Sequence, residues 1–121
     1  LWAEIPGFSK FGSYTGNGST DGPVIITGFR PRWLMVKNAS ASATDWKIYD
    51  AERNKYNVVT QVLYPNLSNG EDANTGVDFL SNGFKLRLSS SSMNKSGDTF
   101  IYAAFAEYPF KNGNAAIYNI N

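Results

Sequence analysis

The chain has 121 residues, 11 basic against 10 acidic side chains, and neither cysteine nor histidine. That length makes one domain with a core of its own, and a near-neutral balance without runs of like charge argues against duplex nucleic acid or an anionic membrane surface as partner. The missing cysteines exclude a disulfide scaffold and thiolate chemistry, and the missing histidines remove the commonest general base, the commonest metal ligand and the Ser-His-Asp triad.

Period-two patterning dominates from the first residues. Strands are expected over Leu1–Ile5, Phe11–Thr15, Val24–Phe29, Trp33–Lys37, Asp45–Tyr49, Val58–Tyr64, Val77–Leu80, Phe84–Leu88, Thr99–Glu107 and Ala116–Ile120, each bounded by Gly, Pro, Asn or Ser. The apolar runs 33–36 and 100–106 read as strands covered on both faces. Nothing repeats at helical spacing for long. A helical turn fits 51–55 and another fits 66–74. The pattern predicts an all-β, antiparallel β-sandwich of the jelly-roll or lectin-like kind, in a single domain over 1–121. No apolar run approaches the ~18 residues of a membrane span, so no membrane insertion is expected. The start at Leu1 reads as a piece of a longer protein.

The loop Gly12-Ser-Tyr-Thr-Gly-Asn-Gly-Ser-Thr-Asp-Gly-Pro23 invites three readings. Gly16, Gly18 and Gly22 are spaced one residue too wide for a dinucleotide loop, and a strand follows where a helix is needed. Asn17, Ser19 and Asp21 fit a calcium loop loosely, but the loop holds a single carboxylate and Gly28 stands where the closing Glu belongs. A wide hairpin with local Asx turns is the plainer account. The loop 89–98 between the strands at 84–88 and 99–105 has a similar plan, which gives two long hairpins. No cofactor and no metal are expected.

The stretch 44–57 mixes aromatics with Asn, Asp and Arg, as sugar-binding surfaces do. Trp46, Arg53, Tyr56, Asn57, Tyr64 and Asn66 are the candidate ligand- or receptor-binding residues. Against this, Trp46 and Ile48 can simply alternate into the core. Glu4, Asp45, Asp50, Asp78 and Glu107 lie near strand ends, where a carboxylate pair would run glycoside hydrolysis without histidine. Such acids are more often solvated or ion-paired, and no catalytic residue is assigned. Sequons at Asn17, Asn38, Asn66 and Asn94 are ordinary for a chain rich in Asn and Ser.

Six blocks in fixed order carry a resemblance. They are Trp2–Pro23, Gly28-Phe-Arg-Pro-Arg-Trp-Leu-Met-Val-Lys37, Asp45-Trp-Lys-Ile-Tyr-Asp-Ala-Glu-Arg53, Leu63-Tyr-Pro-Asn66, Asp78-Phe-Leu-Ser-Asn-Gly-Phe-Lys-Leu86 and Tyr102-Ala-Ala-Phe-Ala-Glu-Tyr-Pro-Phe-Lys111. Together they resemble a domain of bacteriophage, including cyanophage, tail-fibre and other virion structural proteins; 112–121 lies outside the pattern. Relatives often carry Cys before the Trp at position 2, where this chain has Leu1. The resemblance implies a non-catalytic virion module at the particle surface. Its expected partners are host surface polysaccharide or another receptor, and other virion proteins, with a homotrimer as the default assembly. The alternatives are a capsid-decoration or head-fibre part that binds another virion protein and, further off, a glycan depolymerase.

Overall fold

The computed structural model describes residues 2–107. Eight strands run in order: β1 (Ser9–Thr15), β2 (Val24–Ile26), β3 (Pro31–Asn38), β4 (Lys47–Asp50), β5 (Val59–Val62), β6 (Asp72–Leu80), β7 (Gly83–Leu86) and β8 (Thr99–Ala106). They form two four-stranded sheets, β1-β8-β3-β4 and β2-β7-β6-β5, and every strand pairing is antiparallel. The domain is an all-β sandwich, with no helix among the described residues.

Alternation explains the core. On β8 the side chains of Phe100, Tyr102, Ala104 and Ala106 point inward, opposite Leu34 and Val36 of β3 and Tyr14 of β1. From the second sheet Ile25, Val59, Val62, Val77, Phe79, Phe84 and Leu86 face them. Tyr14 stacks on Phe100 with ring centroids 5.0 Å apart, and Phe84 meets Tyr102 edge-on at 5.2 Å. Burying each such ring or branched side chain contributes about 1.5–3 kcal/mol. Gly12 leaves room for this packing, since a Cβ there would stand 2.9 Å from the Tyr102 hydroxyl.

Two expectations give way to the topology. The glycine loop does not close a hairpin: β1 and β2 lie in different sheets, as do β7 and β8. Both loops are arches that cross from one sheet to the other, and they brace each other. Gly18 N–H donates to Asn94 O at 2.8 Å and Gly16 N–H to Asp98 O at 3.0 Å. Residues 2–5 are not a strand. Ile5 O accepts the N–H groups of Phe8 and Ser9 in a tight turn, and Trp2 lies across the outer face of the first sheet.

Parity in β4 is also reversed. Lys47 and Tyr49 face the core, while Trp46 and Ile48 lie on the outer side and are half-buried. Ile48 and Leu63 exchange both backbone hydrogen bonds, so the β4 edge is stitched to the segment after β5. The span 66–74 holds no helical turn; β6 already begins at Asp72. At 51–53 there is a turn and no helix. The expected strand 116–120 lies outside the described residues.

Candidate functional site

One open concavity is built by a bulge, a turn and a strand start. In β3 the register slips between Pro31 and Trp33, which pair with Ala106 and Phe105. Arg32 is therefore the extra residue of a β-bulge, and bulges re-aim the side chains they carry. Pro31 has no N–H to give a ladder, which suits it to this position. Arg32 O still accepts Ala51 N–H at 2.8 Å, which ties the bulge to the end of β4.

The turn after β4 is organised by one carboxylate. Asp50 Oδ1 accepts the N–H groups of Glu52 and Arg53, at 3.0 and 2.9 Å, and Oδ2 accepts Arg53 Nε at 2.8 Å. Short Asx-type bonds of this kind fix turns without help from the ladder. Arg53 also donates through Nη1 to Glu71, and Gln61 Nε2 donates to the other oxygen of Glu71 at 2.9 Å. Arg32 pairs with Glu52. The result is an open cleft of about 590 Å³ lined by Arg32, Trp33, Asp50, Glu52, Arg53 and Glu71.

Its electrostatics follow from those contacts. The Gln61 and Arg53 hydrogen bonds hold the Glu71 carboxyl below its ordinary value, and Glu71 in turn raises the Arg53 guanidinium. Trp33 supplies the apolar wall. Its ring packs against Phe105 at 5.4 Å and against Trp2 at 6.2 Å, which fixes its rotamer. A flat aromatic beside donors and acceptors held in place can stack on the apolar face of a sugar ring and hydrogen-bond its hydroxyls.

The expected binding residues do not gather in one place. Arg53 is in this cleft. Trp46 and Asn66 sit together just before β4, at the opposite end from Asp50, where Asn66 Oδ1 accepts Trp46 N–H at 3.2 Å and its amide donates to Asp45. Tyr64 lies under the Lys47 ammonium. Tyr56 is 85% exposed. Asn57 is structural: its side chain donates to Phe79 O and accepts from Phe79 N–H, both at 2.9 Å, in the manner of a ladder partner.

The loosely calcium-like trio is otherwise engaged. Asn17 Oδ1 accepts Ser19 N–H and the Asn94 amide, Ser19 Oγ accepts Asp21 N–H, and Asp21 pairs with Lys85 at 2.7 Å. No group of three or more acidic side chains spaced for a metal occurs among the described residues. The strand-end acids meet cations or amides: Glu4 with Lys10, Glu107 with Arg30, Asp78 with Arg87 and Asp45 with Asn66. Of the sequon asparagines, Asn38 and Asn94 are buried.

Arg32, Trp33, Glu52 and Glu71 were not legible as site residues. Pro31 within an otherwise strand-like run was the available signal for a bulge beside a cleft. Glu71 carried none, since its role depends on β6 lying beside the β4–β5 turn.

No curated protein and no solved structure matches the chain. A family profile does, over residues 1–109, which is all but a short C-terminal stretch. The chain belongs to the family described as a domain of unknown function, DUF7483.

Proposed function

We propose that this domain is a non-catalytic adhesion module of a phage virion, of the tail-fibre type, which binds host surface glycan in the cleft at the β3–β4 edge. The observation that carries the glycan reading is Trp33 set beside the ion-paired Arg32, Glu52, Arg53, Asp50 and Glu71 in one open cleft. The six ordered sequence blocks support the virion setting.

The charge state of Glu71 suits ligand binding more than acid catalysis. Glycoside hydrolysis needs one carboxyl that keeps its proton near neutral pH and one that does not. Glu71 is held ionised, which makes it a poor proton donor. Single-site sugar binding is weak, and several copies on one particle, a trimer for example, supply avidity.

The test presents the domain to a glycan array and to host cells, beside Trp33→Ala. Saturable binding that Trp33→Ala weakens is the expected result. No binding above an albumin control, with virions lacking the domain still adsorbing to host cells, refutes the reading.

A further inference from the structure

The outer face of the first sheet carries a second concavity. Phe11, Ala103 and Met35 lie side by side on β1, β8 and β3, as cross-strand partners in one row. Ala103 is the small residue between two large ones, so the row sags in the middle. Ile101 continues the face along β8 and is 41% exposed. Two tryptophans from outside the strands complete the walls. The groove lined by Trp2, Phe11, Met35, Trp46, Ile101, Tyr102 and Ala103 encloses about 180 Å³.

Trp2 is held before any ligand arrives. Trp2 stacks on Phe11 at 5.9 Å with an interplanar angle of 11°, and meets Phe105 edge-on at 5.3 Å. It nevertheless stays 60% exposed. Trp46 has its backbone N–H tied to Asn66. An exposed aromatic fixed by ring contacts, as Trp2 is, loses little entropy on binding.

Groove and cleft adjoin. Trp33 lines the cleft and Met35 lines the groove, and they project from the same face of β3 two residues apart. That separation is about 7 Å along a strand, on the order of one sugar unit.

We propose that the Trp2–Trp46 groove is a second sugar subsite continuous with the cleft, so that the ligand is a neutral glycan chain of at least two rings. This rests on the glycan reading above. One pyranose presents C–H groups to the ring faces and leaves its hydroxyls to the open mouth of the groove. The groove lining carries no charge. The cleft lining holds three carboxylates against two guanidiniums, a surplus of one negative charge that disfavours uronate- or phosphate-bearing chains.

The test is calorimetry with glucose and N-acetylglucosamine oligomers of one to four units and with galacturonate oligomers. It uses the wild-type chain, Trp46→Ala, Ala103→Leu and Trp33→Ala, with circular dichroism confirming each fold. Wild type is expected to bind the neutral oligomers roughly tenfold more tightly than the single sugar. Trp46→Ala and Ala103→Leu are expected to bring the oligomers down to the single-sugar level, whereas Trp33→Ala weakens every length. A length dependence that survives in both groove variants overturns the subsite, and so does tighter binding of galacturonate. If wild type binds single sugars and shows no gain with length, the subsite fails while the cleft stands. Failure of wild type to bind any sugar removes the glycan reading and the subsite with it. Loss of self-association in the groove variants, without any change in sugar binding, reassigns the groove to a protein contact.

Discussion

The ammonium of Lys47 sits 5.0 Å from the ring centroid of Tyr64, on a strand position that faces the core. Lys47 is only 7% exposed. Its aliphatic stem fills space between the sheets, and its charged end finds an aromatic face in the segment after β5.

That placement has a measurable cost. Desolvation lowers the Lys47 pKa from its ordinary value, with Asp45 and Asp72 opposing the shift. A lowered pKa means the unfolded chain binds the proton more tightly. The penalty is therefore complete below the folded pKa and disappears as pH rises toward 10.5, the value of a free lysine. Lys47→Met keeps the stem and removes the charge, at the loss of the contact with Tyr64. The expected result is a protein more stable by up to about 1 kcal/mol at pH 7, with the advantage shrinking as pH rises through the lowered Lys47 value toward 10.5. Urea unfolding of both proteins across that range checks it. A variant that is less stable at pH 7 contradicts this account.

The crossed arches depend on Asn94, which is fully buried. Its amide nitrogen lies within 3.0 Å of Asn17 Oδ1, Ser19 O and Leu88 O, and its Oδ1 accepts Asn17 N–H at 2.9 Å. Asn94→Ala leaves the buried Leu88 O without its bond, cuts the links to Asn17 and Ser19 on the more exposed arch, and opens a void. We expect a loss of about 2–4 kcal/mol and faster proteolysis between residues 16 and 22. Denaturant titration and mass-spectrometric mapping of the cuts read both. A loss below 1 kcal/mol would show that the arches hold without this bridge.

How much of this was readable in the chain varies with the range of the interaction involved. The strands at β3 and β8 announce themselves, because Leu34 and Val36, and Phe100, Tyr102 and Ala104, alternate into the core while bulky outer neighbours cover the other face. Sandwich class follows from that local pattern. Partnership does not. Nothing in the sequence around Gly16–Gly22 says that its flanking strands part into different sheets, since that follows from β1 pairing with β8 and β2 with β7, far along the chain. At β4 the alternation is ambiguous, as Trp46 and Ile48 are the more apolar pair. Tyr49 packing over Gly76 settles the parity, because a Cβ at Gly76 would collide with the Tyr49 ring. In the cleft, Arg53 was identifiable from its polar neighbourhood, but Trp33 was indistinguishable from core until Phe105 and Trp2 proved to lie on its outer side.

Two buried tyrosines make a controlled comparison. Tyr14 donates its hydroxyl to Met93 O at 2.8 Å. Tyr49 Oη is buried with no hydrogen-bond partner among the described residues. Burial raises the pKa of both phenols, so both stay protonated through the neutral range. Tyr14→Phe leaves a buried carbonyl unpaired and is expected to cost about 1–2 kcal/mol. Tyr49→Phe removes an unpaired hydroxyl and is expected to be neutral or stabilising by up to about 1 kcal/mol. Thermal or urea unfolding ranks the two. The reverse order would mean that Tyr49 Oη has a stabilising partner.

Glu71 sets the acid limit of the cleft. Its carboxylate takes hydrogen bonds from Gln61 and Arg53, which together lower its pKa below the ordinary 4.5. The sign is that of a depressed carboxyl: the links are complete above about pH 4.5 and are lost as pH falls through the lowered value. Arg53 would then be released from Glu71. Sugar binding should therefore stay flat from pH 7 to about 4.5 and weaken below it. In Glu71→Gln the charge is absent at every pH, so binding should be severalfold weaker at neutrality. The Glu71-dependent part of the acid limb, read as the difference between wild type and variant, should vanish. Affinity measured against pH on both proteins decides it. An unchanged acid limb in Glu71→Gln would assign the transition to another carboxylate and leave Glu71 out of the site.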